Sequence, residues 1–162
     1  ALRGLRGEHV VEKVISDDPR RVATGWLAPD VMIGAEDNAG GWSGYRQYHP
    51  ATIHWRLPDG GVGTIRAVHR GPLRATAAPG ELHLRAEDHP HVGPQPTSFH
   101  VAAGSSAPDV DLTPTSWHLP GLTVEVDGPA EGVEVRAGEV VWPGGPVELD
   151  LNVRTNDRGR AL

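Results

Sequence analysis

A chain of 162 residues with 21 glycines and 15 prolines has length enough for one packed core and too many turn formers for long helices. It holds no cysteine, which excludes a disulfide scaffold, a thiol nucleophile and any cysteine-ligated metal. The net charge of −6 is spread evenly, with basic residues mostly single, so no nucleic-acid partner is expected. No apolar run approaches the ~18 residues of a membrane helix, so none is expected to enter a membrane either.

In chain order, Ala1-Leu2-Arg3-Gly4 lacks the apolar stretch of a signal peptide. A soluble chain is expected, in a compartment the residues leave open. Residues 8–15 fit a first strand or a short helix, closed by Asp17-Asp18-Pro19. Segments 21–27 and 30–34 read as strands split by Ala28-Pro29. Residues 34–50 read as one long loop, and loops of that length are functional or disordered. Trp42, Tyr45 and Tyr48 argue against disorder, because aromatics are depleted in disordered segments.

The organising stretch is a hairpin. Residues 51–57 alternate, with Ile53, Trp55 and Leu57 on one side, and residues 62–70 return after Pro58-Asp59-Gly60-Gly61. A three-residue loop, Asp59-Gly60-Gly61, sets Trp55 opposite Ile65 and Ile53 opposite Ala67 and keeps one apolar face. That arrangement leaves Thr52, His54, Arg56, Thr64 and Arg66 on the opposite face and turns His69 inward. Gly61-Val62-Gly63 reads as turn plus close packing. Residues 80–87 alternate in the same way, with Leu82, Leu84 and Ala86 against His83 and Arg85.

A proline-stiffened link over 88–96 follows, then strand candidates at 97–103, 109–112, 115–119, 122–127, 133–136, 139–142 and 147–153. Pro96-Thr97-Ser98-Phe99-His100-Val101 is echoed by Pro114-Thr115-Ser116-Trp117-His118-Leu119. The echo implies two strands with matched faces, Phe99 and Trp117 on one, His100 and His118 on the other. The expected fold is all-β, an antiparallel β-sandwich or jelly roll, with a small β-barrel as the alternative. A single domain over 1–154 and a flexible tail over 155–162 are expected.

Three clusters offer chemistry. Histidines supply the first, with His89 and His91 in an HxH pair and His100 and His118 on neighbouring strands as metal candidates. Zinc or another transition metal would suit such imidazoles, with His69 and His83 as further ligands, although nothing firmly implies a cofactor. The second is the aromatic loop, where Trp42, Tyr45, Arg46, Tyr48 and His49 combine flat faces with donors suited to a sugar or flat organic ligand. The third is the polar hairpin face, where Arg56 and Arg66 join the ligand set. Catalytic candidates are His54, His69, His83 and Glu87, with Glu81 and Asp88 as further carboxylate partners. GxSxG, Walker, GxGxxG and HExxH signatures are all missing.

Three functions fit these residues. One is a domain binding a small organic or carbohydrate ligand through the aromatic loop and the polar sheet face. The others are a small histidine-based metal-dependent or acid–base enzyme, and a structural or interaction domain of a larger assembly, with homo-oligomerisation left open.

Overall fold

The period-two alternation becomes strand along most of the chain. The computed structural model describes residues 7–18, 20–38, 49–104 and 110–156. Within them lie β1 (His9–Asp17), β2 (Arg20–Leu27), β3 (Val31–Asn38), β4 (Ala51–Arg56), β5 (Val62–His69), β6 (Leu73–Ala78) and β7 (Glu81–Ala86). There follow β8 (Thr97–Ala102), β9 (Asp111–Leu112), β10 (Ser116–Leu119), β11 (Leu122–Asp127), β12 (Glu134–Arg136), β13 (Glu139–Trp142) and β14 (Val147–Thr155). Residues 8–15 are thus strand rather than helix. Among the described residues no helix is long and apolar enough to cross a membrane.

All strands belong to one antiparallel sheet in the order β12-β13-β8-β5-β4-β3-β6-β7-β14-β11-β10-β9, with β2 also on β3 and β1 outermost on β2. The sheet curls until its ends nearly meet, leaving an unsealed seam, and is closer to a barrel than to a sandwich or jelly roll. The sandwich expectation is corrected by β3, which serves both halves. Its residues 31–35 pair with β4, while Asp37 pairs with Arg74 on β6, so no break separates two sheets.

Curling brings Phe99 on β8 to 5.2 Å from Trp117 on β10, near the other end of the strand order, while Trp142 on the neighbouring β13 stands 5.6 Å from Phe99, between ring centroids. These rings, with Trp55, Ile53, Leu84 and Leu149, are buried almost completely. Buried indole N–H groups need acceptors, and irregular connections supply them. Trp55 donates to the Pro120 carbonyl at 2.8 Å, Trp117 to Thr113 at 3.1 Å and Trp142 to Pro129 at 2.8 Å.

The inward face of the hairpin is as expected, but its register is not. Trp55 sits opposite Gly63 and Ile53 opposite Ile65, two residues from the expected pairing along β5. The turn is Pro58-Asp59-Gly60, with Gly60 at φ +91° and its N–H bonded to the Leu57 carbonyl at 3.0 Å. Proline suits the first central position of such a turn, and glycine the left-handed one. Gly63 is required because the Trp55 indole lies across it, where any Cβ would overlap the ring.

Two further readings are corrected. Strand β3 continues through Asn38, paired with β2, so the connection does not begin at Gly34. The strand β6 was not expected, because its core positions Ala75 and Ala77 are too small to mark a face. The matched faces of the echoed segment do form, with Phe99 and Trp117 buried and His100 and His118 outside the core. Strand β14 includes Thr155, opposite Leu122, and residues 157–162 lie outside the described residues.

Replacing Gly63 by valine forces the Trp55 ring to move and costs about 1–3 kcal/mol, lowering the urea midpoint. Gly34→Ala, whose new Cβ would meet nothing closer than the Thr52 hydroxyl at 3.5 Å, leaves the midpoint unchanged or slightly raised. Equal effects from the two would show that the indole contact does not set this register.

Candidate functional site

Outward side chains of β4, β5, β8 and β13 form cross-strand rows. Thr52 pairs with Arg66, Arg66 with His100 and His100 with Glu139. His100 Nε2 lies 3.4 Å from Glu139 Oε1 and 3.2 Å from Ser98 Oγ. His49 stands at the head of β4, and its buried Nδ1 has no hydrogen-bond partner among the described residues. Burial chiefly lowers the His49 pKa, the Arg66 charge lowers it further, and the Ala67 carbonyl opposes both. One ligand candidate, Arg66, and one metal candidate, His100, thus share one face. Trp42, Tyr45, Arg46 and Tyr48 lie outside the described residues.

In the adjoining row His54 places Nδ1 3.3 Å from the Thr64 hydroxyl, and burial lowers its pKa. It lines a cleft of about 260 Å³ with Met32, Pro29, Val62 and Arg56. Arg56 Nε is 3.2 Å from Asp30 Oδ1, a half-exposed pair at the rim.

His69 points inward, as expected of its face, and is a satisfied core histidine. Nε2 lies 2.9 Å from the Glu87 carbonyl, and Nδ1 3.1 Å from Thr97 Oγ1 and 3.2 Å from the Pro96 carbonyl. Both ring nitrogens are thus occupied, Nε2 by one carbonyl and Nδ1 by a carbonyl and a hydroxyl. No edge remains for a substrate. Gly71 is needed beside it, since a Cβ there would come within 2.6 Å of Nε2.

His83 does gain carboxylates, although from a strand the sequence did not point to. Asp150 Oδ1 is 2.6 Å from Nδ1 and Glu148 Oε1 is 3.4 Å from Nε2, both from β14. Of the expected partners, Glu81 lines the adjacent 400 Å³ groove with Thr76, Asp127 and Asn152, and Glu87 faces Arg85 at 3.5 Å. Alternation does place Glu148 and Asp150 on one face, but their pairing with β7 is a long-range register that no local pattern carries. With a carboxylate at each ring nitrogen, His83 has no free nitrogen to act as general base.

The HxH pair does not converge. His89 Nδ1 accepts the N–H groups of His91 and Val92 at 3.1 and 3.2 Å, closing a turn around Pro90, and the rings stand edge to face 6.0 Å apart. His118 is elsewhere, on β10, with Ser116 Oγ 3.2 Å from its Nε2. Among the described residues no group of three or more His, Asp or Glu is placed to hold a metal ion. The metal set His89, His91, His100 and His118 does not come together, because His100 on β8 and His118 on β10 lie apart from the turn that holds His89 and His91. The Ser–His contacts are not triads either. Both serines meet Nε2, and Glu139 meets that same nitrogen on His100, whereas a triad base uses its two nitrogens on opposite partners.

Two predictions follow from these histidines. His69→Leu strands the Thr97 hydroxyl and Glu87 carbonyl in the core, costing about 2–4 kcal/mol in urea unfolding, whereas Thr64→Val costs far less. For His49 and His54 the folded pKa lies below the 6.5 of the unfolded chain, so the unfolded state binds the proton first as pH falls. Their contribution to stability is complete above about pH 6.5 and is lost below it. The double variant His49→Gln/His54→Gln should therefore lose less stability than the parent between pH 7.5 and 5.5, measured by urea midpoint.

Comparison with curated proteins and with solved structures gives no match. The model of one family, described as Domain of unknown function (DUF8770), matches residues 7–143. That span covers every strand from β1 to β13 and excludes β14, although β14 lies between β7 and β11 in the sheet. The chain belongs to the DUF8770 family.

Proposed function

We propose that this chain is an interaction module of a larger assembly, offering the free edge of β1 to an extended segment of another polypeptide. The carrying observation is β1 itself. Among the described residues it pairs only with β2, and Val10, Val11, Val14 and Ile15 are 62, 50, 49 and 46 % exposed. Val10 lies opposite Trp26 and Val14 opposite Val22, so these valines continue the core-facing side of the sheet where no opposing layer covers them. An edge with free backbone groups and apolar side chains on both faces suits strand addition.

Charge argues for a partner other than a second copy. Two-fold antiparallel self-pairing keeps each residue on its own face, and the one register that pairs all nine residues of β1 centres on Lys13. It sets the two lysines directly opposite, which is destabilising. The complementary strand carries apolar residues flanking a charge opposite in sign to the one it meets.

A second reading, a small-ligand site on the polar face of β4 and β5, is supported by the cleft beside His54 and Arg56.

Selection of displayed nonapeptides against the whole chain tests the edge. Alternating apolar sequences should be enriched, and their binding should be lost in Val11→Pro and Val14→Asp variants that keep the parent melting temperature within a few degrees. No enrichment, or binders indifferent to both changes, overturns the reading. Sedimentation should also show a monomer, and Lys13→Val should shift it towards dimers by removing the opposed charges.

A further inference from the structure

Apart from the β1 edge and the His54 cleft, one row of the outer face departs from what strands require. It runs Val11–Gly25–Gly34–Thr52–Arg66–His100–Glu139 across β1, β2, β3, β4, β5, β8 and β13. Two adjoining glycines stand in strand interiors, where glycine weakens a sheet by its entropy and its missing side chain. Neither is imposed by the fold. Their φ angles are not positive, and an added Cβ would meet only ordinary contacts, the Ile33 carbonyl at 3.7 Å from Gly25 and the Thr52 hydroxyl at 3.5 Å from Gly34. None of the neighbours is buried, and Arg66 is exposed. A bare strip of backbone that packing does not explain marks a place where something else approaches closely.

The groups at its end define what approaches. Thr52 offers a hydroxyl and Arg66 a guanidinium, and among the described residues no carboxylate pairs with Arg66. His100 lies opposite Arg66 on the neighbouring strand, and the Arg66 charge reaches His49, whose buried Nδ1 has no partner among the described residues. Glu139, the acidic group of the row, is engaged by His100 on the far side. Glu36, on the row flanking Gly34, is engaged by Arg21 at 2.6 Å. A flat floor beside a guanidinium that no carboxylate among the described residues meets suits a flat ligand with an anionic edge.

We propose that Gly25, Gly34, Thr52 and Arg66, with His100 beside them, form a binding shelf for a ring-shaped molecule bearing one carboxylate, the ring on the glycines and the carboxylate on Arg66. This shelf stands independently of the β1 edge and tests differently.

Two sources of that chemistry, an aromatic carboxylate and a sugar acid, are separated by titrating the chain with benzoate and with galacturonate, using calorimetry and amide chemical shifts. Binding of either with Kd below about 1 mM, with shifts centred on residues 25, 34, 52 and 66, is the expected result. Arg66→Gln should weaken it at least about tenfold. Gly34→Val should abolish it by filling the floor, with a melting temperature near that of the parent, and benzyl alcohol and galactose should fail. If Gly34→Val fails to fold, Gly25→Ala and Arg66→Gln carry the same comparison. Benzoate alone assigns the shelf to aromatic acids, galacturonate alone to sugar acids, and both to ring carboxylates generally. No binding of either, equal binding by the Arg66 variant, or equal binding of the neutral rings overturns the proposal.

Discussion

Three buried indoles hold this sheet in its curled form. A sheet that does not seal its seam with a ladder must be held across the core by side chains, and Phe99, Trp117 and Trp142 meet there from strands near opposite ends of the strand order. Each indole also brings an N–H that would cost about 1–3 kcal/mol if buried without an acceptor. The acceptors are carbonyls of connections, at Thr113, Pro120 and Pro129, which no strand ladder uses. The bonds therefore fix the connections as well as the rings. The Trp55 to Pro120 bond joins residues 65 apart and ties the β4–β5 hairpin to the turn between β10 and β11. Gly121 follows from that closeness, since a Cβ there would stand 2.9 Å from the Arg56 carbonyl.

What the sequence made legible was parity. A period of two is local, so the inward facing of Ile53, Trp55, Leu57 and Ile65, the burial of His69 and the split between Phe99 and His100 could all be read. Register is not local. It depends on Trp55 lying over Gly63, a fit between strands, and matching apolar side chains in pairs instead favoured a pairing two residues away. Strand β6 escaped because alanines fill its core positions, and the polar Glu36-Asp37-Asn38 hid the end of β3. There the charges are answered by Arg21 and Arg74, at 2.6 and 2.8 Å, from neighbouring strands.

The same division governs the candidate sites. His89-x-His91 looked like a metal pair because spacing alone was visible, whereas Pro90 places a turn between them and His89 caps it. His83 and Asp150 are 67 residues apart, and only the β7–β14 pairing brings them to 2.6 Å. The polar face of the hairpin was visible as a set, but its continuation through His100 to Glu139 required the order β4-β5-β8-β13, which does not follow the chain.

Because the indoles determine the interior, the outer face is the part of the molecule on which packing makes few demands. Departures from ordinary strand composition there carry more information than equal departures inside. Two such departures share a row. Val11, exposed on an edge that no described strand pairs, lies opposite Gly25, and Gly25 lies opposite Gly34. At the ~4.8 Å spacing of neighbouring strands, a segment added to β1 would run roughly 10 Å from Gly25. Its outward side chains would then form a wall at the open end of the glycine strip, facing Arg66 at the other. On the readings proposed above, the partner edge and the ligand shelf are therefore adjoining parts of one surface, and an occupant of the first changes the size of molecule the second accepts.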